Sequence, residues 1–184
     1  SQEKEELFSL ISEEQNQIEL LPERMVCTQS LLWGKNGLFR KTGISDLNIE
    51  NREKELRIRK NMLNAHQVIG YITLASMVAQ GIIGGKLYNG DESLRNTHKT
   101  MGNIVNIGYF TGAGLSLFAP PPLINKKVKG FNSIKAHKIL ATIHFSAMVA
   151  TNHFKDRNKD THKAAAYTAF ASYALALITI TFNF

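Results

Sequence analysis

Four stretches of this 184-residue chain are almost free of charged residues, and they constrain the fold more than any other feature of the sequence. They cover residues 65–85, 100–125, 139–154 and 164–184. Three of them exceed the roughly 18 apolar residues that indicate a membrane-spanning helix, and the stretch 139–154 reaches that length once the turn 136–138 is added. We therefore predict four transmembrane helices.

Short connections join these stretches, at residues 86–97, 126–135 and 155–161. Connections of this length usually join antiparallel neighbours, so the sequence predicts an all-α, integral membrane, up-down-up-down four-helix bundle over residues 62–184. The first and third helices then begin at one face of the membrane, and the second and fourth begin at the other. A run of three prolines, 120–122, is predicted to end the second helix.

Residues 1–61 are polar and charged, and we predict that they form a mostly helical segment outside the membrane. Apolar residues recur at helical spacing over residues 3–21, and Pro22 ends that pattern. A loop with several glycines follows around Trp33, and a second helix is expected to run from about Ile49 into the first apolar stretch.

The formal net charge of +7 does not indicate nucleic-acid binding, because no basic run is interleaved with aromatic residues. Lys and Arg instead cluster beside the apolar stretches, as they do at membrane interfaces. The single cysteine, Cys27, excludes an intramolecular disulfide and any zinc or iron–sulfur site built from cysteines.

An internal repeat relates the two halves of the apolar region. Residues 65–79 match residues 136–150 at a constant offset of 71, and residues 97–109 match residues 161–173 more loosely at an offset of 64. The repeat predicts that the bundle consists of two related helical hairpins.

Four of the six histidines stand where the apolar stretches begin, one for each predicted helix: His66, His98, His137 and His162. Each is followed four residues later, on the same helix face, by a small residue that leaves space for a flat macrocycle. These small residues are Gly70, Gly102, Ala141 and Ala166.

The predicted topology selects the pairs of histidines. An ionisable side chain at membrane depth is costly and usually faces the bundle interior. A neutral imidazole that binds iron through one nitrogen and donates its other N–H satisfies both polar atoms. Because His66 and His137 share one face and His98 and His162 share the other, we predict two haem b groups, each with two axial histidines.

The residues next to these histidines suggest further roles. Thr97 and Thr161 precede the second pair and are predicted to be helix N-caps. Lys99, Lys138 and Lys163 each follow a predicted ligand directly and are candidates to pair with haem propionates; the alternative is that they are interface lysines whose ammonium groups reach the headgroups.

Alternatives exist for every histidine. Any one of the four could cap a helix or bind lipid headgroups, but four in matched positions favour iron ligation. His144 lies about 10.5 Å beyond His137 on nearly the same helix face; it is either a hydrogen-bonded core residue, a contact of the haem edge, or part of a quinone or proton path. His153 lies on the other side of that helix and is the rival ligand to His98 or His162.

Four consecutive helices with one histidine each, pairing first with third and second with fourth, resemble the core of the cytochrome b561 family. The resemblance covers residues 62–184 and rests on the spacing of these four histidines. It implies two b haems and electron transfer from a quinol, an ascorbate-like reductant or a redox protein to an acceptor across the membrane. Typical eukaryotic members have six helices, so the chain resembles their four-helix core alone.

The predicted function is therefore transmembrane electron transfer by an oxidoreductase of cytochrome b561 type. The alternatives are a structural or electron-relay subunit of a larger membrane complex, and a haem-free transporter built on the repeat. Expected partners are membrane lipids, a redox donor and a redox acceptor. The chain could also form a homo-oligomer or belong to a larger membrane complex, and no nucleic-acid partner is expected.

In a bacterium the protein would be located in the inner membrane. The count of basic residues favours a cytoplasmic N-terminus, whereas a start at Ser1 favours the extracytoplasmic orientation that we adopt.

Overall fold

The computed structural model describes residue 4, residues 20–124 and residues 131–182 of the chain. Within these residues all regular secondary structure is helical, which confirms the predicted all-α class. The helix predicted over residues 3–21 lies almost wholly outside the described part. The chain divides into two compact units, which we call the N-terminal unit and the helical unit.

The N-terminal unit comprises residues 1–64 and 115–126. Its described helices are α1 (Cys27–Trp33), α2 (Leu38–Lys41) and the first part of α3 (Ile49–Tyr88). Helices α1 and α2 pack against each other.

Helix α3 begins at Ile49, where the sequence predicted a helix to start. The Asn48 side chain accepts a hydrogen bond from the Asn51 N–H at 2.9 Å, which satisfies one of the free donors of the first turn. The helix has 40 residues, which corresponds to about 60 Å at 1.5 Å per residue. The helix therefore extends well beyond its apolar part, which begins only at residue 65.

The helical unit comprises residues 65–114 and 127–184. It holds the second part of α3, a short 3₁₀ turn (Glu92–Leu94), and three further helices: α4 (Arg95–Leu117), α5 (Ser133–Phe154) and α6 (Lys159–Thr181).

The predicted N-cap roles of Thr97 and Thr161 are wrong. Helix α4 begins before Thr97, and α6 is capped by Asn158, whose side chain accepts a hydrogen bond from the Thr161 N–H at 2.9 Å. Asparagine is among the best N-cap residues, so the helix begins almost a turn earlier than the apolar pattern indicates. Helix α5 has the same type of cap, formed by Asn132.

Hydrogen bonds between side chains and apolar packing join the helices of the helical unit. Asn106 on α4 and Asn152 on α5 exchange two amide hydrogen bonds of 3.0 and 2.8 Å. Helices α5 and α6 also pack closely against each other. The described core is formed by buried apolar and small side chains from all four helices, namely Met77, Val105, Tyr109, Ala147, Met148 and Ala169.

Two of the described helices, α3 and α6, are long and apolar enough to cross a membrane by length and composition. Only 17% and 22% of their most apolar windows are buried within the protein. Helices α4 and α5 do not meet the same criterion. The structure thus contains two candidate membrane spans among its described helices.

A buried ion cluster holds the N-terminal unit together. The Glu55 carboxylate accepts hydrogen bonds from Arg40, from Arg52 and from the Ser45 hydroxyl, and Arg52 and Glu55 are only 2% and 1% exposed. Burial by itself would raise the pKa of the Glu55 carboxyl, but the three hydrogen bonds and the Arg40 charge outweigh it and hold that pKa below its ordinary value of 4.5. Glu55 is therefore ionised at neutral pH.

The same unit fixes the chain that follows α4. Four consecutive backbone carbonyls, those of residues 118–121, each accept a hydrogen bond from an N-terminal side chain. The donors are, in order, Trp33, Gln29, Arg59 and Arg52, at N···O distances of 3.0, 3.1, 2.7 and 3.1 Å. Because the prolines cannot continue a helix, carbonyls just beyond the helix end need such partners.

We expect Glu55→Gln to lower the free energy of unfolding by about 3–5 kcal/mol, because it leaves two buried arginines without a counter-charge. Denaturant unfolding of the purified protein in detergent measures this. The matched control is Glu50→Gln on the same helix, which breaks an exposed pair with Lys54 and should have little effect.

The difference between the wild type and Glu55→Gln should also depend on pH. Since the folded pKa of Glu55 is lowered, its contribution is fully present above pH 4.5 and is lost as the pH falls through the lowered value. Equal unfolding curves for Glu55→Gln and Glu50→Gln at pH 7 would contradict this account of the ion cluster.

Candidate functional site

His66 and His137 each direct one ring nitrogen at a backbone carbonyl of another helix. His66 Nδ1 lies 2.8 Å from the Gly112 oxygen on α4, and His137 Nδ1 lies 3.0 Å from the Ala176 oxygen on α6. A carbonyl oxygen only accepts hydrogen bonds, so each Nδ1 carries a proton, and in the neutral imidazole Nε2 then has the lone pair. Both imidazoles are half-buried. They are therefore in the tautomer that ligates a metal through Nε2.

His162 has the same arrangement. Its Nδ1 lies 2.8 Å from the Thr151 oxygen on α5, and its ring is half-buried. Histidines that bind metals almost always donate their second ring N–H to a carboxylate, a carbonyl or water, which fixes the ring and makes the ligating nitrogen more basic. Three of the four predicted ligands thus have the hydrogen bond that such a role requires.

His98 departs from this pattern. Its Nε2 lies 3.4 Å from the Gln80 side-chain nitrogen, and its buried Nδ1 has no hydrogen-bond partner among the described residues. The Gln80 side-chain oxygen is also buried without a described partner. Leaving buried polar atoms unpaired costs free energy, about 1–3 kcal/mol each, unless a bound group satisfies them. This position is therefore the one described part of the site whose polar atoms call for an additional group.

His98 and His162 lie next to each other. Their ring centres are 6.3 Å apart, and the ring planes are nearly perpendicular, at 83°. An imidazole nitrogen lies about 1.1 Å from its ring centre, and metal–imidazole bonds are about 2.0–2.1 Å long, so two imidazoles on opposite sides of one metal ion have centres about 6 Å apart. The spacing of this pair therefore suits two axial ligands.

His66 and His137 are brought to one region of the helical unit. Gly112, the partner of His66, lies one helical turn after Tyr109 on α4. His144 follows His137 by two turns on α5. His144 itself is joined to the Tyr109 hydroxyl by a hydrogen bond of 2.6 Å. His153, the rival ligand, is exposed and accepts a hydrogen bond from Arg157 Nη1 at 2.9 Å.

The small residues four positions after the predicted ligands are partly covered by neighbouring side chains. A Cβ added at Gly70 would meet side-chain atoms at 3.6 Å, an ordinary contact, and a Cβ added at Gly102 would come within 3.1 Å of the Gln80 amide. Ala141 and Ala166 are half-buried. Their predicted place beside a macrocycle stays a prediction.

The three lysines that follow predicted ligands differ in their surroundings. Lys99 and Lys138 are exposed. The Lys163 ammonium lies 3.6 Å above the centre of the Tyr88 ring, a cation–π contact, and the Tyr88 hydroxyl donates to Asp160 at 2.9 Å. Lys163 is therefore held near its neighbour His162, whereas the other two extend into the surroundings.

Sequence reasoning missed the residues that contact the imidazoles from neighbouring helices. Gly112 and Ala176 supply carbonyls to the first pair, and Gly84 faces His98 so closely that an added Cβ would lie 2.8 Å from its Cε1 atom. The repeat contained a usable signal, because Gly112 and Ala176 are both small and are separated by the same offset of 64 as the second histidine pair. A small residue at each position lets an imidazole approach the backbone.

Within the described residues, no group of three or more His, Cys, Asp or Glu side chains could hold a metal ion. A haem iron needs only two protein ligands, since the macrocycle supplies the other four, so this finding and a paired-histidine site are compatible. Comparison with known proteins found no matching family model, no matching curated protein and no matching solved structure. A functional assignment therefore depends on the geometry of the chain itself.

We expect Gly84→Ala to destabilise the folded protein by about 1–3 kcal/mol, because its Cβ would overlap the His98 ring. Gly81 is the matched control on the same helix: a Cβ there meets nothing within 4 Å. Gly81→Ala should therefore stabilise by about 0.5–1 kcal/mol through the helix preference of alanine. Thermal unfolding in detergent measures both, and the account of the His98 contact is wrong if the two changes have the same sign.

Proposed function

We propose that this chain is a b-type cytochrome of the membrane that binds two haems, one between His66 and His137 and one between His98 and His162, and transfers electrons across the bilayer. In this proposal it corresponds to the four-helix core of the cytochrome b561 family. The observation that carries the proposal is the set of imidazole–carbonyl hydrogen bonds, which recurs in both halves of the repeat and leaves Nε2 open for iron.

The surface of the helical unit supports a location within the membrane. Large apolar side chains on its helices are more than half exposed: Ile72 by 62%, Ile82 by 59%, Ile107 by 70% and Ile139 by 54%. Exposed apolar surface on this scale needs a partner or lipid. The polar side chains of Tyr109, His144 and Asn106 are buried or half-buried instead, which is how membrane bundles place polar residues. We therefore propose that α3–α6 all span the bilayer, including α4 and α5.

The residues present suit bis-histidine ligation of haem. Carbonyl hydrogen bonds fix the ligating tautomer of three histidines, and the fourth has an unpartnered buried nitrogen. The 6.3 Å separation of the His98 and His162 ring centres matches the distance expected for two imidazoles bound to one metal ion. When bound, haem iron would supply reversible one-electron chemistry. The protein would hold the iron, orient the imidazoles and exclude water.

The positions of the two pairs along the helices support transfer across the membrane. Helix α3 carries His66, and 18 residues later its Gly84 faces His98. That interval corresponds to about 27 Å of helix, close to the roughly 30 Å thickness of the hydrocarbon core. The two pairs would then lie near opposite faces. Donor and acceptor, a quinol, an ascorbate-like reductant or redox proteins, would bind on opposite sides, with the N-terminal unit extracytoplasmic.

An electron-relay subunit of a larger membrane complex is the second candidate. It is favoured by the N-terminal unit, where Leu31 and Ile44 are 68% and 70% exposed outside the apolar stretches. Both candidates require the same haem sites, and they differ in whether the purified chain alone reacts with a soluble reductant.

We expect two b haems per chain, seen in the reduced-minus-oxidised visible spectrum of protein purified in detergent. His66→Ala and His137→Ala should each remove the same haem, and His98→Ala and His162→Ala should each remove the other, because each variant deletes one axial ligand.

The matched control is His153→Ala, which removes an exposed histidine paired with Arg157 and should retain both haems. A wild-type protein without a b-type band would refute the proposed function. Loss of the His66/His137 haem in His98→Ala, with the other haem retained, would refute the pairing.

A further inference from the structure

Tyr109 and His144 form a hydrogen-bonded dyad inside the helical unit. The Tyr109 hydroxyl on α4 lies 2.6 Å from His144 Nδ1 on α5, and the two rings are perpendicular, with centres 5.6 Å apart. Tyr109 is only 2% exposed. A third ring, that of Tyr173, lies 5.1 Å from the His144 ring and 5.7 Å from the Tyr109 ring. The dyad is therefore held in one geometry by packing on several sides.

The repeat makes this dyad asymmetric. Tyr109 and Tyr173 are counterparts at the offset of 64, and His144 and Thr73 are counterparts at the offset of 71. The Tyr173 ring also contacts His144, but its hydroxyl donates to the Gly70 carbonyl, at 3.2 Å, where the Tyr109 hydroxyl bonds to an imidazole. The same core position is thus occupied by threonine in one half and by histidine in the other. Since the fold accepts threonine there, packing alone does not require His144.

The dyad lies between the two histidine pairs along the helices. His144 follows His137 by seven residues on α5, about 10.5 Å, and Tyr109 follows His98 by 11 residues on α4, about 16.5 Å. Tyr109 also lies within one helical turn of Gly112 on α4, whose carbonyl bonds to His66. The dyad is therefore nearer to the first pair than to the second.

We propose that the Tyr109–His144 dyad sets the reduction potential of the haem held by His66 and His137. This inference rests on the proposed function. A fixed dipole in a low-dielectric interior interacts strongly with a charge that changes nearby, and hydrogen bonds and burial around a haem are established determinants of its potential. His144 acts on the site directly through its dipole, and Tyr109 is a positioning residue that acts through His144 by holding its ring and its tautomer.

The test is a potentiometric titration of the purified, haem-containing protein in detergent, followed by visible absorbance. His144→Thr installs the residue that the other half of the repeat uses, and Tyr109→Phe removes only the hydroxyl. Each variant should shift the midpoint potential of the His66/His137 haem and leave the midpoint potential of the other haem unchanged. Repeating the titrations in a His98→Ala background assigns the shifted midpoint to the first pair.

The double variant should shift that midpoint no further than His144→Thr alone, because Tyr109 acts through His144. The matched control is Tyr173→Phe, which removes the counterpart hydroxyl that bonds to a backbone carbonyl, and both midpoints should stay at their wild-type values. Should His144→Thr fail to fold, His144→Gln serves as the second variant and is expected to shift the same midpoint.

Two outcomes overturn the inference. In one, both haems are retained and neither midpoint moves in His144→Thr or Tyr109→Phe. In the other, Tyr173→Phe shifts the first midpoint as much as Tyr109→Phe does, which would indicate a general effect of core packing. A wild-type protein without haem would instead refute the proposed function itself, so the two failures are distinguishable.

Discussion

A hydrogen bond between an imidazole and the backbone carbonyl of another helix is the interaction on which the helical unit and its candidate site both depend. A helical carbonyl already accepts one N–H from its own helix, and its second lone pair accepts the histidine N–H. The bonds from His66, His137 and His162 thereby join α3 to α4 and α5 to α6. The same bonds fix which ring nitrogen is open, so helix packing and ligand geometry are set together.

The repeat accounts for most of this arrangement, and its two departures are informative. Gly112 and Ala176 serve the first histidine pair at matched positions. In the second pair His162 bonds to the Thr151 carbonyl, whereas His98 approaches the side chain of Gln80, the counterpart of Thr151. The other departure is His144 in place of threonine. Both departures make the two halves of the repeat chemically different.

The sequence predicts a good part of this structure. The all-α class, the start of α3 at Ile49 and the placement of one candidate histidine on each long helix follow from apolar periodicity and from the repeat. The predicted N-caps, Thr97 and Thr161, were wrong, because the apolar pattern marks where a helix becomes buried and not where its backbone hydrogen bonds begin. Asn158 caps the start of α6 in a polar stretch that carries no apolar signal.

Two further features could not be read from the sequence for physical reasons. Every residue has a backbone carbonyl, so nothing in the residue types distinguishes the oxygens of Thr151 and Ala176 as partners of histidines. The ion cluster of Arg40, Arg52 and Glu55 depends on bringing α2 and α3 together, and charged residues in a polar segment otherwise indicate an exposed surface. Only the three-dimensional arrangement shows that this segment has a polar core of its own.

The central claim is that two pairs of histidines each hold one iron through two imidazoles. Low-temperature electron paramagnetic resonance of the oxidised wild-type protein tests it most directly, because two strong nitrogen ligands on a haem iron favour the low-spin ferric state. The account predicts two low-spin ferric signals and no high-spin signal. A stoichiometric high-spin ferric signal, or purified protein without iron, would contradict it.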